Sequence, residues 1–241
     1  MLDLPRVIGH RGAAALAPEN TLAGFRIARD AGARWVEFDV RLSADSVPVV
    51  IHDPTLARIA GISARVARLT ADRLAATDAG SWFAPRFAGE RVPTLAAALA
   101  ECAALGLGAN VELKWCGIRS RALARRAADV VREARSLQLL VSSFRPSLLA
   151  AFRRRAPDVP RGLLLERLRP GWRAAARRLG CFTVNLGASG LDARAIGAVR
   201  SAGFGLVVYT VNDPARAARL LAAGVDAVIT DRPDALTSVL S

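Results

Sequence analysis

The stretch ARAIGAVRSAGFGLVVYTVNDPARAARLLAAGVDAVIT, residues 193–230, decides the fold. It runs helix, glycine, strand, and then the same again. Residues 193–202 and 215–222 read as helices. Gly203 and Gly224 follow their ends, where a left-handed residue closes a last helical turn. Residues 205–211 and 227–230 are short, rich in β-branched side chains and bounded by turn formers, so they read as strands.

Working outward, the same grammar recurs at Gly32, Gly106 and Gly180. Strands are expected over 7–10, 35–40, 47–51, 109–114, 139–143, 161–165 and 182–186 as well. Helices are expected over 21–31, 95–105, 118–135, 146–155, 172–179 and 233–239. Many βα units joined by short loops require a parallel sheet. About eight such units in 241 residues favour an α/β fold of the closed (β/α)8 TIM-barrel type over an open doubly wound sheet. A single domain over 1–241 is expected. Residues 53–93 break the grammar. They carry one short helix start at Thr70 and read as a small insertion after the His52 strand, packed over the catalytic end of the barrel.

The composition narrows the class. The chain is 52% hydrophobic, enough for a large core, and only 5% aromatic. No apolar run reaches the ~18 residues of a membrane span. Residues 1–5 lack the basic and apolar regions of a signal peptide, so a cytoplasmic protein is expected. Cys102, Cys116 and Cys181 are odd in number and lack metal-ligand spacing, which suits reduced thiols. The net charge of +13 is almost all arginine. Those arginines are dispersed through helical stretches such as 119–135 without aromatic interleaving, so solvated helix faces are expected and not nucleic-acid binding.

The chemistry gathers at strand ends. The chain has two histidines, His10 and His52, each closing a strand-like run. Their charge changes near neutral pH, which suits an acid–base pair facing one pocket. Successive strand residues point to opposite faces. Glu37 and Asp39 therefore share one face of 35–40, and Asn110, Glu112 and Lys114 share one face of 109–114. In a barrel the apolar face meets the helices, so these polar side chains point inward. Three carboxylates there repel each other unless compensated, and a hard divalent ion such as Mg2+ or Ca2+ compensates them. Arginine-paired structural carboxylates are the alternative, and paired carboxylates spaced i, i+2 like Glu37 and Asp39 also occur on exposed strands; Glu112 on a second strand favours the ion. Lys114 is the sole lysine in the chain, a compact charge where every other cation is a planar fork. Arg11 follows His10 and can grip a phosphate with two hydrogen bonds. Gly12 permits a sharp turn or a close approach to a ligand. Residues 18–21 read as structural, with Asn20 or Thr21 capping the next helix. Trp82, Phe144 and Tyr209 are candidates for one wall of the pocket, core packing being the alternative.

In order, His10-Arg11-Gly12, Pro18-Glu19-Asn20-Thr21, Glu37-Phe38-Asp39-Val40, His52-Asp53, Glu112-Leu113-Lys114, Ser142-Ser143-Phe144, Tyr209-Thr210-Val211-Asn212 and Thr230-Asp231-Arg232-Pro233 resemble the glycerophosphodiester phosphodiesterase family. The resemblance implies a metal-dependent TIM-barrel hydrolase that converts glycerophosphodiesters to sn-glycerol 3-phosphate and an alcohol. It implies that Glu37, Asp39 and Glu112 bind one divalent cation (Mg2+ or Ca2+, with Mn2+ an option). His10 and His52 are then the acid–base pair, with a lean toward His10 as base and His52 as acid. Arg11 and Lys114 hold the phosphate. The partner is a small-molecule substrate. No stable membrane association is expected, and the chain is expected as a monomer or homodimer. A phospholipase of related fold is the nearest alternative.

Overall fold

A computed structural model describes residues 2–134, 136–189 and 191–240. The chain opens with β1 (Val7–His10), α1 (Leu22–Asp30), β2 (Trp35–Leu42) and β3 (Pro48–Val50). The break in the βα pattern holds β4 (Thr55–Leu56), α2 (Ala57–Ala60), β5 (Ile62–Arg65) and α3 (Ala71–Ala75). Regular alternation then resumes with α4 (Leu95–Leu105), β6 (Gly108–Leu113), α5 (Ser120–Glu133), β7 (Leu139–Ser143), α6 (Pro146–Arg155), β8 (Arg161–Leu165) and α7 (Trp172–Leu179). It ends with β9 (Thr183–Gly187), α8 (Ala193–Ser201), β10 (Gly205–Tyr209), α9 (Pro214–Ala222), β11 (Ala227–Thr230) and α10 (Pro233–Leu240).

Strands β1, β2, β6, β7, β8, β9, β10 and β11 form parallel neighbours in that order, and β11 pairs back onto β1. The sheet is therefore a closed (β/α)8 barrel. The expected 47–51 strand is not a barrel stave. It is β3, antiparallel to the far end of β2, with Val40 opposite Val50. Its run of apolar residues resembles a buried parallel strand, but the two-strand turn at 43–47 is too short for a crossover. The expected 118–135 helix begins at Ser120, after a 3-10 turn over Gly117–Arg119. Its Arg135 end lies outside the described residues.

Alternation along the strands sorts the side chains. Val36, Phe38, Val40, Val111 and Leu113 face outward and pack with Phe25, Leu95, Leu99, Leu123 and Phe152 of the covering helices. Inside, Ile8, Trp35, Leu140, Val207, Ala227 and Ile229 plug the lower barrel. Gly108 makes room for that plug: a Cβ there would meet the Trp35 ring at 2.3 Å. The stretch between β3 and α4 has its own apolar centre of Val49, Ile51, Leu56, Ile59, Val66 and Leu74. Thr70 caps α3, accepting from the Arg73 N–H.

Candidate active site

Strand register brings the polar inward residues together. His10 on β1 stands opposite Glu37 on β2, and Asp39 stands opposite Glu112 on β6. One oxygen from each of Glu37, Asp39 and Glu112 lies within 4.8 Å of the others, and all three side chains are buried. Lys114 follows β6 and bridges the group, its Nζ 3.2 Å from Asp39 Oδ1 and 2.7 Å from Glu112 Oε1. Arg11 Nε lies 3.3 Å from Asp39 Oδ2, while its Nη1 donates to Glu19 Oε1 at 2.9 Å. Both cations are thus engaged by carboxylates, yet each keeps further N–H donors for an anion.

Burial and crowding set the charge states. Burial, then repulsion from Asp39, pushes the Glu37 carboxyl up to about 8. Burial and Asp39 likewise push Glu112 up to about 7, against the pull of Lys114. Asp39 goes the other way: burial would raise it, but Lys114, Arg11 and Asn20 hold it well below the usual carboxylate range. Two carboxyls driven toward their neutral forms, with oxygen donors only, fit a hard divalent cation that would take the place of their protons.

The histidines are set by different means. His10 Nδ1 is 2.6 Å from Asp231 Oδ1, and its Nε2 is 3.9 Å from Glu37 Oε2. Burial works against the imidazolium, but Asp231 and Glu37 outweigh it and raise the His10 pKa. Asp231 is oriented in turn by Asn212, whose Nδ2 donates to Asp231 Oδ2 at 2.7 Å. His52 lies just past β3. Its carbonyl accepts from Arg41 Nε at 2.7 Å, and its Nδ1 is 2.7 Å from Asp53 Oδ1. Burial lowers the His52 pKa despite Asp39 and Asp53.

The loop after β1 is more than structural. Thr21 caps α1, as its side chain accepts from Gly24 N–H at 3.1 Å. Asn20 instead grips Asp39 twice, donating to Oδ2 at 3.0 Å and accepting from the Asp39 N–H at 3.1 Å. It does so at φ 59, and Arg11 sits at φ 49, both in the left-handed region. Gly12, at φ 90, serves a turn against α1, where a Cβ would strike the Gly24 backbone at 2.7 Å. Glu19 joins Arg11 to Arg58, which also donates to Asp53. Phe144 and Tyr209 meet edge to face at 5.9 Å, and Lys114 Nζ lies 6.0 Å from the Phe144 ring. Trp82 lies under Arg58 at 5.8 Å. A cleft of about 330 Å3 opens beside His10, Arg11, Glu19 and Asp231. A larger one, about 510 Å3, lies elsewhere among Leu2, Leu137, Arg155 and Pro160 and contains none of these groups.

Residues 10–235 match the model of the glycerophosphoryl diester phosphodiesterase family. The chain belongs to that family. YhdW of Bacillus subtilis (strain 168) is 35% identical over 236 residues, covering 95% of each chain. The glycerophosphodiester phosphodiesterase of Caldanaerobacter subterraneus subsp. tengcongensis is 30% identical over 236 residues, covering 97% of each. The Oleispira antarctica phosphodiesterase, solved with the product sn-glycerol-3-phosphate, superposes with a TM-score of 0.95 at 33% identity. That match covers 98% of this chain and 97% of the other. Sequence reasoning missed the site roles of Asn20, Asp231 and Asn212. Asp231 is 221 residues from His10, so its place at a strand end and within the Thr230–Pro233 motif marked it without showing its partner. Among the described residues no helix is long and apolar enough to cross a membrane.

Proposed function

We propose that this member of the glycerophosphoryl diester phosphodiesterase family hydrolyses glycerophosphodiesters to sn-glycerol 3-phosphate and an alcohol, with one divalent cation held by Glu37, Asp39 and Glu112. The observation that carries the reading is the buried carboxylate trio beside two His–Asp pairs, His10–Asp231 and His52–Asp53. The product bound to the Oleispira relative supports the substrate class. Mg2+ or Ca2+ suits the oxygen donors, and Mn2+ is the next choice. The chain works as one barrel domain over residues 1–241, with 53–93 inserted at the mouth. It acts in the cytoplasm, in keeping with three cysteines that form no disulfide.

When bound, the cation supplies Lewis-acid charge to a phosphate oxygen. Lys114 and Arg11 add fixed positive charge around the same phosphate. The Asp231 carboxylate on Nδ1 of His10, with the Glu37 carboxyl 3.9 Å from Nε2, favours the imidazolium form, which suits donation of a proton to the leaving alcohol oxygen. His52, with one carboxylate and more solvent, then takes the proton from the nucleophile, either water or the neighbouring 2-hydroxyl of glycerol. This assignment reverses the lean from sequence. Asp231, Asn212 and Asp53 fix ring orientation.

The test is release of glycerol 3-phosphate from glycerophosphocholine and glycerophosphoethanolamine with Mg2+, Mn2+ or Ca2+ supplied. Loss with a chelator, and with His10→Ala or His52→Ala, is the expected result. Failure to detect glycerol 3-phosphate from any headgroup with any of these ions overturns the proposal.

A further inference from the structure

Four large apolar side chains are exposed around the mouth: Ile62, Trp82, Trp115 and Ile118. Single exposed apolar residues are ordinary, but these four stand apart on loops, and the loops of Trp115 and Trp82 are tied by arginines to the His52–Asp53 end of the site. The Trp115 carbonyl accepts from Arg41 Nη1 at 3.2 Å, and Arg41 Nε holds the His52 carbonyl. Asp53 accepts from Arg58, whose guanidinium lies over Trp82. Ile62 stands on the β4–β5 hairpin, which is tied back where Val66 N–H donates to the Pro54 carbonyl at 3.0 Å.

Ile118 is fully exposed on a loop that is braced on both sides. Arg119 donates to the carbonyls of Ser43 at 2.9 Å and Ala44 at 3.1 Å, and to Ser46 Oγ at 3.0 Å. Ser120 Oγ accepts from Cys116 N–H and donates to the Gly117 carbonyl. The loop therefore holds Ile118 out. Cations stand among these apolar points. Arg145 lies 5.4 Å over the Trp115 ring, and Arg65, Arg68 and Arg121 are exposed nearby in sequence.

We propose that the mouth docks on an anionic lipid surface, with Trp115 and Ile118 entering the headgroup layer and Arg65, Arg68, Arg121 and Arg145 meeting lipid phosphates. Separate apolar points flanked by cations match a shallow, negatively charged interface. A protein partner would instead require them joined in one desolvated centre. The net charge of +13 adds long-range attraction. Such docking is reversible and needs no spanning segment. It puts the site beside the bilayer where phospholipid deacylation releases glycerophosphodiesters, a point that rests on the proposed activity.

The experiment is co-sedimentation of the full chain with vesicles of phosphatidylglycerol mixed into phosphatidylcholine, against phosphatidylcholine alone. Binding to the anionic vesicles, lost at high salt and weakened about tenfold by a Trp115→Ala/Ile118→Ser double variant, supports the proposal. Turnover of soluble glycerophosphocholine by that variant stays at the wild-type level. An Arg65→Glu/Arg68→Glu variant gives a second reading if the first does not fold. Three results overturn the proposal: no binding to anionic vesicles, binding indifferent to both variants, or self-association of the wild type through this loop. Vesicle binding is read without turnover, so an inactive enzyme that still binds would sink the proposed activity and leave the docking standing.

Discussion

His10 and His52 do the same kind of chemistry on two different foundations. His10 ends a barrel stave, and its partner Asp231 arrives from the last stave across the closing seam of the sheet. His52 stands on an antiparallel extension, and its partner Asp53 is the next residue. The His10 side chain is 19% exposed and the His52 side chain 31%. One carboxylate hydrogen-bonds each ring, and the first ring also has the Glu37 carboxyl 3.9 Å from its Nε2. The consequence is opposite directions of pKa, up for His10 and down for His52. Barrel closure, not residue type, makes the two imidazoles different.

The largest expected effect separates them by leaving group. His10→Ala and His52→Ala should each cut turnover of glycerophosphocholine by about 10²–10⁴-fold. A phosphodiester with a nitrophenolate leaving group needs no proton from the acid. It should restore much of the rate to His10→Ala and little to His52→Ala. Equal rescue of both would erase the proposed division of labour.

Next come the partners. Asp231→Asn removes the carboxylate that raises His10, so the alkaline limb of the rate profile should move to lower pH, with about tenfold or greater loss of kcat. Asp53→Asn should lower the His52 pKa further and move the acidic limb down, with the smaller loss of kcat because that site is more exposed. Rate profiles in pH for both variants check this.

The carboxylate trio gives a stability prediction. Glu37 and Glu112 have folded pKa values of about 8 and about 7, above the unfolded range. Between the unfolded and folded values the native state binds more protons, so its stability falls as pH rises. His10 acts in the same direction, while His52, being lowered, opposes it. The metal-free protein should therefore lose Tm from pH 5 to pH 8, and added divalent ion should restore it most at pH 8. Glu37→Gln should flatten the curve.

The smallest effect expected is at Asn20. Asn20→Ala removes the acceptor of the Asp39 N–H and one donor to its carboxylate, which keeps Lys114 and Arg11, and should cost about 1–3 kcal/mol, read by urea unfolding.

Much of this was legible in the chain. Period-two alternation put Glu37 and Asp39 on one face and Val36, Phe38 and Val40 on the other, because a strand has no third choice. Helix-ending glycines marked the βα joints. The 47–51 strand was visible, but its place was not, since an apolar run of five reads alike in a parallel stave or an antiparallel flap. Asn20 was readable as a helix cap because Asn caps helices well. Its grip on Asp39 depends on a loop folding back over β2, which no local pattern encodes.

The sequence by itself determined the eightfold alternation, the inward carboxylates and the two histidines, because these follow from local periodicity and residue chemistry. Only the tertiary structure decided that Asp231 would reach His10 and that Lys114 would lie between Asp39 and Glu112. It also decided that two chemically identical imidazoles would be driven in opposite directions. Those outcomes depend on strand register and barrel closure, and on the burial they create, which act between residues far apart along the chain.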